Sequence, residues 1–390
     1  MSDTVNIAVE DWLDTHWDSE NRREIGTQEY DESTWLKKVV DAGYAVPTWS
    51  PEWFGLGLSG RDARYIEKAF QKVRAPGWGR DRFHLGAITI YKLGSHELKN
   101  ELLYTLLCGP ICCLLYSEPG AGSDLAGVRT RATKDGDEFV VNGQKVWTSN
   151  AQEAEYGMLL TRTDVDVPKH QGITFFIFPM KQAGVEVRPI NQITGESEFN
   201  EVFITNARVP EGFIIGEYNN GWKSFQVAIA SERLIMGMGV TARAGRSASG
   251  EAPSLLRLAN KHGGLDDPSL RQEIAQALAY RQLNSLNMQR AVEEMKQDGT
   301  SSLISLGKLS MSRIQHGEAR ISGKILGPQV LLEDDEDARH ANFDAAKAYM
   351  NSIGGGTDQI QRNIISERIL GLPKSDEVDR TIPFREVKAS

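Results

Sequence analysis

Tyr116-Ser117-Glu118-Pro119-Gly120-Ala121-Gly122-Ser123-Asp124 is a polar, glycine-rich turn that closes a strand-sized apolar run, Ile111–Tyr116, and the texture of the chain changes around it. Upstream, from Ile7 to about Pro110, apolar residues recur at helical spacing, as in Trp35, Val39, Val40 and in Tyr65, Ile66, Phe70. Breaks fall at Gly43, at Pro47–Gly60 and at Ala75–Gly79. Downstream, to about Glu217, short β-rich runs take over: Glu138–Asn142, Gly157–Thr161, Thr174–Pro179, Val185–Pro189 and Glu201–Ile204. Lys134-Asp135-Gly136-Asp137 and Val141-Asn142-Gly143 read as hairpin turns between them. From Gly221 helices return, over 222–246, 266–297, 301–326 and 358–370. A helical–β–helical order without βαβ alternation excludes a doubly wound dinucleotide fold. It predicts an α+β chain with an N-terminal helical domain over 1–112, a central antiparallel β domain over 113–218 and a C-terminal helical bundle over 219–390.

Motifs of competing chemistries fail. Gly120-Ala121-Gly122 follows a proline and lacks the third glycine of a dinucleotide fingerprint. There is no phosphate loop ending in Gly-Lys-Ser/Thr, no HExxH pair after His96-Glu97 and no GxSxG elbow. With 390 residues, 40% hydrophobic and 25% charged, the chain can bury a large cofactor without disulfides or a structural metal. A net charge of −9 argues against nucleic acid and against anionic lipid as partners. No apolar stretch is long enough to span a membrane, and the acidic, Trp-bearing first 30 residues do not read as a signal or transit peptide. Three closely spaced cysteines, Cys108, Cys112 and Cys113, read as small core residues of a reduced, cytoplasmic protein. The acidic run Glu333–Asp337 reads as a solvated loop, and His96, His170 and His262 as surface or capping histidines.

The 116–124 turn is similar to a signature of the acyl-CoA dehydrogenases. Asn142-Gly143-Gln144-Lys145-Val146-Trp147-Thr148-Ser149-Asn150 resembles that family's second flavin segment. Phe199-Asn200-Glu201-Val202-Phe203 with Arg208-Val209-Pro210 resembles the end of its β domain, and Gly356-Thr357-Asp358-Gln359-Ile360-Gln361-Arg362-Asn363 its C-terminal motif. Gly94-Ser95-His96-Glu97-Leu98-Lys99 is a weaker match near the start. These marks fall in family order over about 94 to 373. The resemblance implies FAD held between the β domain and a four-helix bundle, an acyl-CoA substrate, a dimer or tetramer of like or unlike chains, and electron-transfer flavoprotein as acceptor. Residue by residue, it places Tyr116, Ser117, Gly122 and Ser123 at the cofactor, with Ser123 also facing the CoA portion of the thioester. It sets Trp147 against the flavin ring with Ser149 donating near N5, places Thr148 at the cofactor, and puts Thr357 and Gln359 on the ribose or pyrophosphate.

Forming a double bond beside a thioester requires a base for the α-proton while hydride leaves the β-carbon for the flavin. In one branch of the family the base precedes the Gly-Thr of the C-terminal motif, but here that position is Gly355. A second branch carries its glutamate on the first bundle helix before an arginine, and Ser231-Glu232-Arg233 matches it. Glu232 shares a helical face with Phe225, Ile229 and Met236, so it is the expected base, with Arg233 a substrate contact. Two family elements are absent: an Arg-x-x-Phe-Gly segment within 243–263 and a Gln-Ile-Leu-Gly-Gly after Ile325-Leu326-Gly327. Similar losses occur in bacterial members built from two kinds of subunit, some acting on steroid or branched side-chain thioesters. A non-catalytic partner subunit and a flavin oxidase of the same fold are the rival readings.

Overall fold

The computed structural model describes residues 2–17, 32–109, 112–231, 254–298, 301, 303–332, 334–374 and 376–388. Its contacts divide the chain into two compact units: 1–190 with 197–232 and 378–390, and 191–196 with 233–377. The first unit therefore unites what the sequence reading separates as a helical and a β domain, takes in the start of the next helix, and recovers the C-terminal segment.

In the first unit, helices α1 (Ser2–His16), α2 (Glu32–Asp41), α3 (Gly60–Val73), α4 (Arg80–Phe83), α5 (Leu85–Leu93) and α6 (His96–Cys108) occupy the region predicted to be helical. The breaks fall where glycine and proline predict them. Local chemistry sets the starts: Ser59 and Ser95 accept from the amides of Asp62 and Leu98, capping α3 and α6. Trp35, Val39, Ile66 and Phe70 are buried, so the helical periodicity marks the packed faces.

The sheet comprises β1 (Cys113–Leu115), β2 (Arg131–Asp135), β3 (Glu138–Ser149), β4 (Tyr156–Arg162), β5 (Ile173–Pro179), β6 (Val185–Pro189) and β7 (Phe199–Pro210). Its order is β1-β4-β2-β3-β7-β6, with β5 on the other side of β4. Four pairings are antiparallel, but β1 and β2 both run parallel to β4, so the sheet is mixed rather than the purely antiparallel one expected. Phe175, Phe176, Ile177 and Phe178 of β5 are fully buried on both faces, which explains their unbroken apolar run. The first predicted hairpin is real: β2 and β3 meet at Asp135 and Glu138, with Gly136 at φ 67°. The second is not. Asn142-Gly143 lies inside β3 at a bulge against β7, where Asn142 bonds across to Asn206. Gly143 is there because a Cβ would lie 2.4 Å from Thr130 Oγ1.

The helix after the sheet, α7, is described over 221–231; Ser224, Phe225, Ala228 and Ser231 are its buried side chains at helical spacing. In the second unit, α8 (Ser254–Lys261), α9 (Pro268–Asp298), α10 (Leu303–Leu326), α11 (Glu336–Ile353) and α12 (Asp358–Ile364) pack as a helical assembly in which α10 touches the other four. Leu255, Ala259, Leu270, Ile274, Ala277, Ile321 and Ile325 form a core of α8, α9 and α10. The acidic run is corrected by the structure. Asp335 is the N-cap of α11, accepting from Ala338 N at 2.9 Å, and Glu336 and Asp337 fill its first turn, where carboxylates suit the positive end of the helix. His262 is not a bare surface residue either, for its Nε2 meets Asp337 at 2.8 Å.

Candidate active site

The glycine-rich turn is folded on itself by reciprocal backbone bonds between Glu118 and Ala121, both 3.0 Å. Its glutamate is the anchor. Glu118 carboxylate, 8% exposed, accepts from the amides of Arg129 (2.7 Å) and Thr130 (2.9 Å) and from Lys145 Nζ at 2.8 Å. Lys145, wholly buried on β3, also donates to Tyr116 O at 3.1 Å. Burial alone raises a carboxyl's pKa, but the charge of Lys145 and the donated hydrogen bonds outweigh it and hold Glu118 below the usual range. Val146 N donates to Ser117 O at 3.0 Å, so the 116–124 turn and the 142–150 stretch are joined by backbone as well as by charge.

Directly after that junction the ladder between β3 and β7 slips between Lys145 and Thr148. Trp147 sits in the slip at φ 61°, a left-handed conformation that disfavours any residue with a Cβ. Its ring is 59% exposed and touches Phe199 edge-on at 6.2 Å. Thr148 is turned inward and buried, its Oγ1 without a hydrogen-bond partner among the described residues, while Asn200 Nδ2 holds its carbonyl at 3.0 Å. Ser149 is exposed beside it. A positive φ, an exposed indole and a buried hydroxyl without a partner among the described residues fall together here and set this stretch apart from plain sheet.

Within this unit the structure brings together Tyr116, Ser117, Trp147, Thr148 and Ser149. Tyr116 contributes differently from the others: its ring packs against Phe225 at 4.8 Å and its hydroxyl reaches Met158 Sδ at 3.9 Å, in the core. Ser117 is half-buried, and Gly122 and Ser123 are exposed on the open side of the turn. An added Cβ at Gly120 or Gly122 meets no atom within 4 Å, so the turn offers a free backbone edge. In the other unit Thr357 is the N-cap of α12, accepting from Ile360 N at 3.2 Å, and Gln359 is exposed. Gly355 and Gly356 lie at φ 65° and 89°, so position 355 is a glycine turn that a side chain strains. Glu232 and Arg233 lie outside the described residues. The helix leading to them ends, as described, at buried Ser231, which accepts from Lys92 Nζ at 3.2 Å and donates to Val227 O.

Three groups escaped the sequence reading. Arg162, 2% exposed at the end of β4, donates to the carbonyls of Ala126, Val128, Lys169 and Gln171, and burial pulls its pKa down to about 10. Lys169 joins Asp124 of the turn to Asp379, 2.9 Å to each. Asp358 accepts from Ser312 at 2.7 Å, and that serine meets Ser352, which meets His316, a chain that locks α12 to α10 and α11. A lone charge ending an apolar strand run was the available signal for Arg162.

The acyl-CoA dehydrogenase middle-domain model matches residues 113–207 and the acyl-CoA dehydrogenase C-terminal-domain model matches 219–370. A Mycobacterium tuberculosis protein named acyl-CoA dehydrogenase IpdE1 is 34% identical over 360 residues, covering 87% of this chain and 88% of its own. Among solved structures, a variant of the Tcur3481–Tcur3483 steroid ACAD superposes with TM-score 0.71 at 25% identity, covering 96% of this chain and 99% of its own. The ChsE4–ChsE5 complex from Mycobacterium tuberculosis gives 0.67 at 26% identity, with 96% and 98% covered. The chain belongs to the acyl-CoA dehydrogenases, a family of FAD-dependent flavoprotein oxidoreductases.

Proposed function

We propose that the chain removes one hydrogen each from the α and β carbons of an acyl-CoA thioester, with Glu232 taking the α-proton and an electron-transfer flavoprotein as final acceptor. The observation that carries this reading is the edge formed by Trp147, Thr148 and Ser149, pinned beside the glycine-rich turn by Lys145 and Glu118. A planar cofactor with a polar rim suits that edge: the indole supplies a flat face, the hydroxyls of Ser117 and Ser149 supply hydrogen bonds, and Thr148 backs the edge from the buried side. FAD, when bound, supplies the two-electron acceptor for the β-hydride. Gly122 and Ser123 serve the cofactor and the CoA portion of the thioester, Thr357 and Gln359 the ribose or pyrophosphate, and Arg233 the substrate.

A carboxylate on an apolar helix stripe is desolvated, which raises its affinity for a proton toward that of a base useful near neutrality. The glycine turn at 355 supports placing the base at 232, since a glutamate at 355 is disfavoured by the backbone there. Glu232→Gln in the FAD-loaded protein is expected to retain flavin and lose its bleaching by acyl-CoA. Bleaching at a near-normal rate would remove Glu232 from the reaction.

A second reading concerns assembly. The absence of Arg-x-x-Phe-Gly within 243–263, together with a similar solved structure described as a two-component complex, favours a partner chain that completes the cofactor site. The steroid dehydrogenase among the similar structures favours a bulky steroid or branched side-chain thioester. The flavin-to-protein ratio of the chain purified alone tests the partner: one FAD per chain in a homomer removes the need for it.

A further inference from the structure

The C-terminal segment 378–388 is strapped to the first unit at several points. Phe384 N donates to Val167 O at 2.9 Å and Arg385 N to Val165 O at 3.0 Å, beside an isolated antiparallel bridge between Pro168 and Pro383 on the loop between β4 and β5. Phe384, 3% exposed, lies under the guanidinium of Arg162 at 3.8 Å. Asp379 shares Lys169 with Asp124, and Arg129 donates to Val387 O at 3.1 Å. The strap is thus tied through Lys169 to Asp124 at the end of the glycine-rich turn, and through Arg162 to the carbonyls of Ala126 and Val128 just beyond it.

Between its anchors the strap presents Arg380 and Thr381 to an open cleft of about 550 Å³, lined also by Pro168, His170, Gln171 and Trp222. His170 stands edge-on to Trp222 at 5.2 Å, forming an aromatic wall. Arg380 is exposed and makes no ion pair with any described residue, whereas neighbouring Lys169 is committed to two carboxylates. The cleft is of small-molecule size, with an aromatic wall of Trp222 and His170 and an exposed guanidinium that pairs with no carboxylate among the described residues. That combination suits a purine ring carrying phosphate: the ring stacks, and the guanidinium forks two phosphate oxygens.

We propose that the C-terminal strap is a substrate-positioning element in which Arg380 takes the phosphate of the thioester's nucleotide carrier and Trp222 with His170 receives its base. This rests on the acyl-CoA reading for the identity of the carrier, but binding tests it without turnover. Calorimetry on the FAD-loaded protein with free CoA and with 3′,5′-ADP is expected to show binding of both. Arg380→Gln weakens each about tenfold or more, and Arg380→Lys recovers most of the loss. The FAD content of the variants stays that of the parent protein. In turnover, the Arg380→Gln defect falls on KM for acyl-CoA. Failure of the parent protein to bind 3′,5′-ADP, or equal binding by Arg380→Gln, overturns the proposal. Binding of 3′,5′-ADP that depends on Arg380, with no flavin bleaching by any acyl-CoA, sinks the dehydrogenase reading and leaves the nucleotide site standing.

Discussion

Lys145 reaches back 27 positions to Glu118 and bonds its carboxylate at 2.8 Å inside the sheet unit, and this pair joins the glycine-rich turn to the strand that bears the proposed cofactor edge. Both partners are buried, so removing one leaves the other as an uncompensated charge. Glu118→Gln is therefore expected to cost about 3–5 kcal/mol of stability, far more than loss of an exposed pair. Thermal unfolding checks the stability, and the flavin absorbance of the purified variant checks whether the edge survives.

The same pair sets an acid limit. Glu118 is held below its ordinary range in the folded chain, so the unfolded chain binds the proton more readily. Its contribution is fully present above the unfolded carboxyl value, about 4.3, and is lost as pH falls through the lower folded value. Unfolding followed by fluorescence from pH 7 down to pH 3 is expected to show stability falling in that acid window, with a shallower fall in Glu118→Gln.

Trp147 holds its left-handed backbone at a cost, so glycine and alanine at this position should differ. Trp147→Gly is expected to be about 1 kcal/mol more stable than Trp147→Ala, because glycine carries no Cβ penalty at positive φ. Both are expected to bind FAD more weakly than the parent. Equal stability of the two variants by denaturant unfolding would show that the bulge relaxes without strain.

Gly355, at φ 65°, is expected to resist substitution. Gly355→Ala should cost about 1 kcal/mol. Gly355→Glu placed in the Glu232→Gln background should fail to restore flavin bleaching by acyl-CoA, and restoration would show that the turn can adopt the other branch's arrangement.

The three thiols are buried and unpaired. Burial pushes Cys113 up to about 12 and raises Cys108 and Cys112 as well. Little thiolate exists at pH 8, so a disulfide reagent should label none of them in the native protein and all three after unfolding.

Local pattern carried a large part of this protein. Helical spacing at Trp35–Val40 and Tyr65–Phe70, the glycine turn at 116–124 and the β-rich runs beyond it together specify a helical–β–helical chain and its family, because periodicity and short motifs depend on neighbours a few residues away. The second hairpin signal failed at Asn142-Gly143 for a long-range reason. Thr130 approaches that backbone from elsewhere in the chain, and the bulge, not a turn, is what the glycine serves. The acidic run before α11 reads as solvated loop until its carboxylates are seen capping a helix start and meeting His262 and Lys261. Likewise Lys145, Arg162 and Arg380 are three ordinary cations in the sequence. Burial, partners and the return of the strap make the first an anchor, the second a hub and the third a guanidinium in a cleft with no ion pair among the described residues. Those distinctions depend on which distant groups share a low-dielectric interior, and only the folded chain decides that.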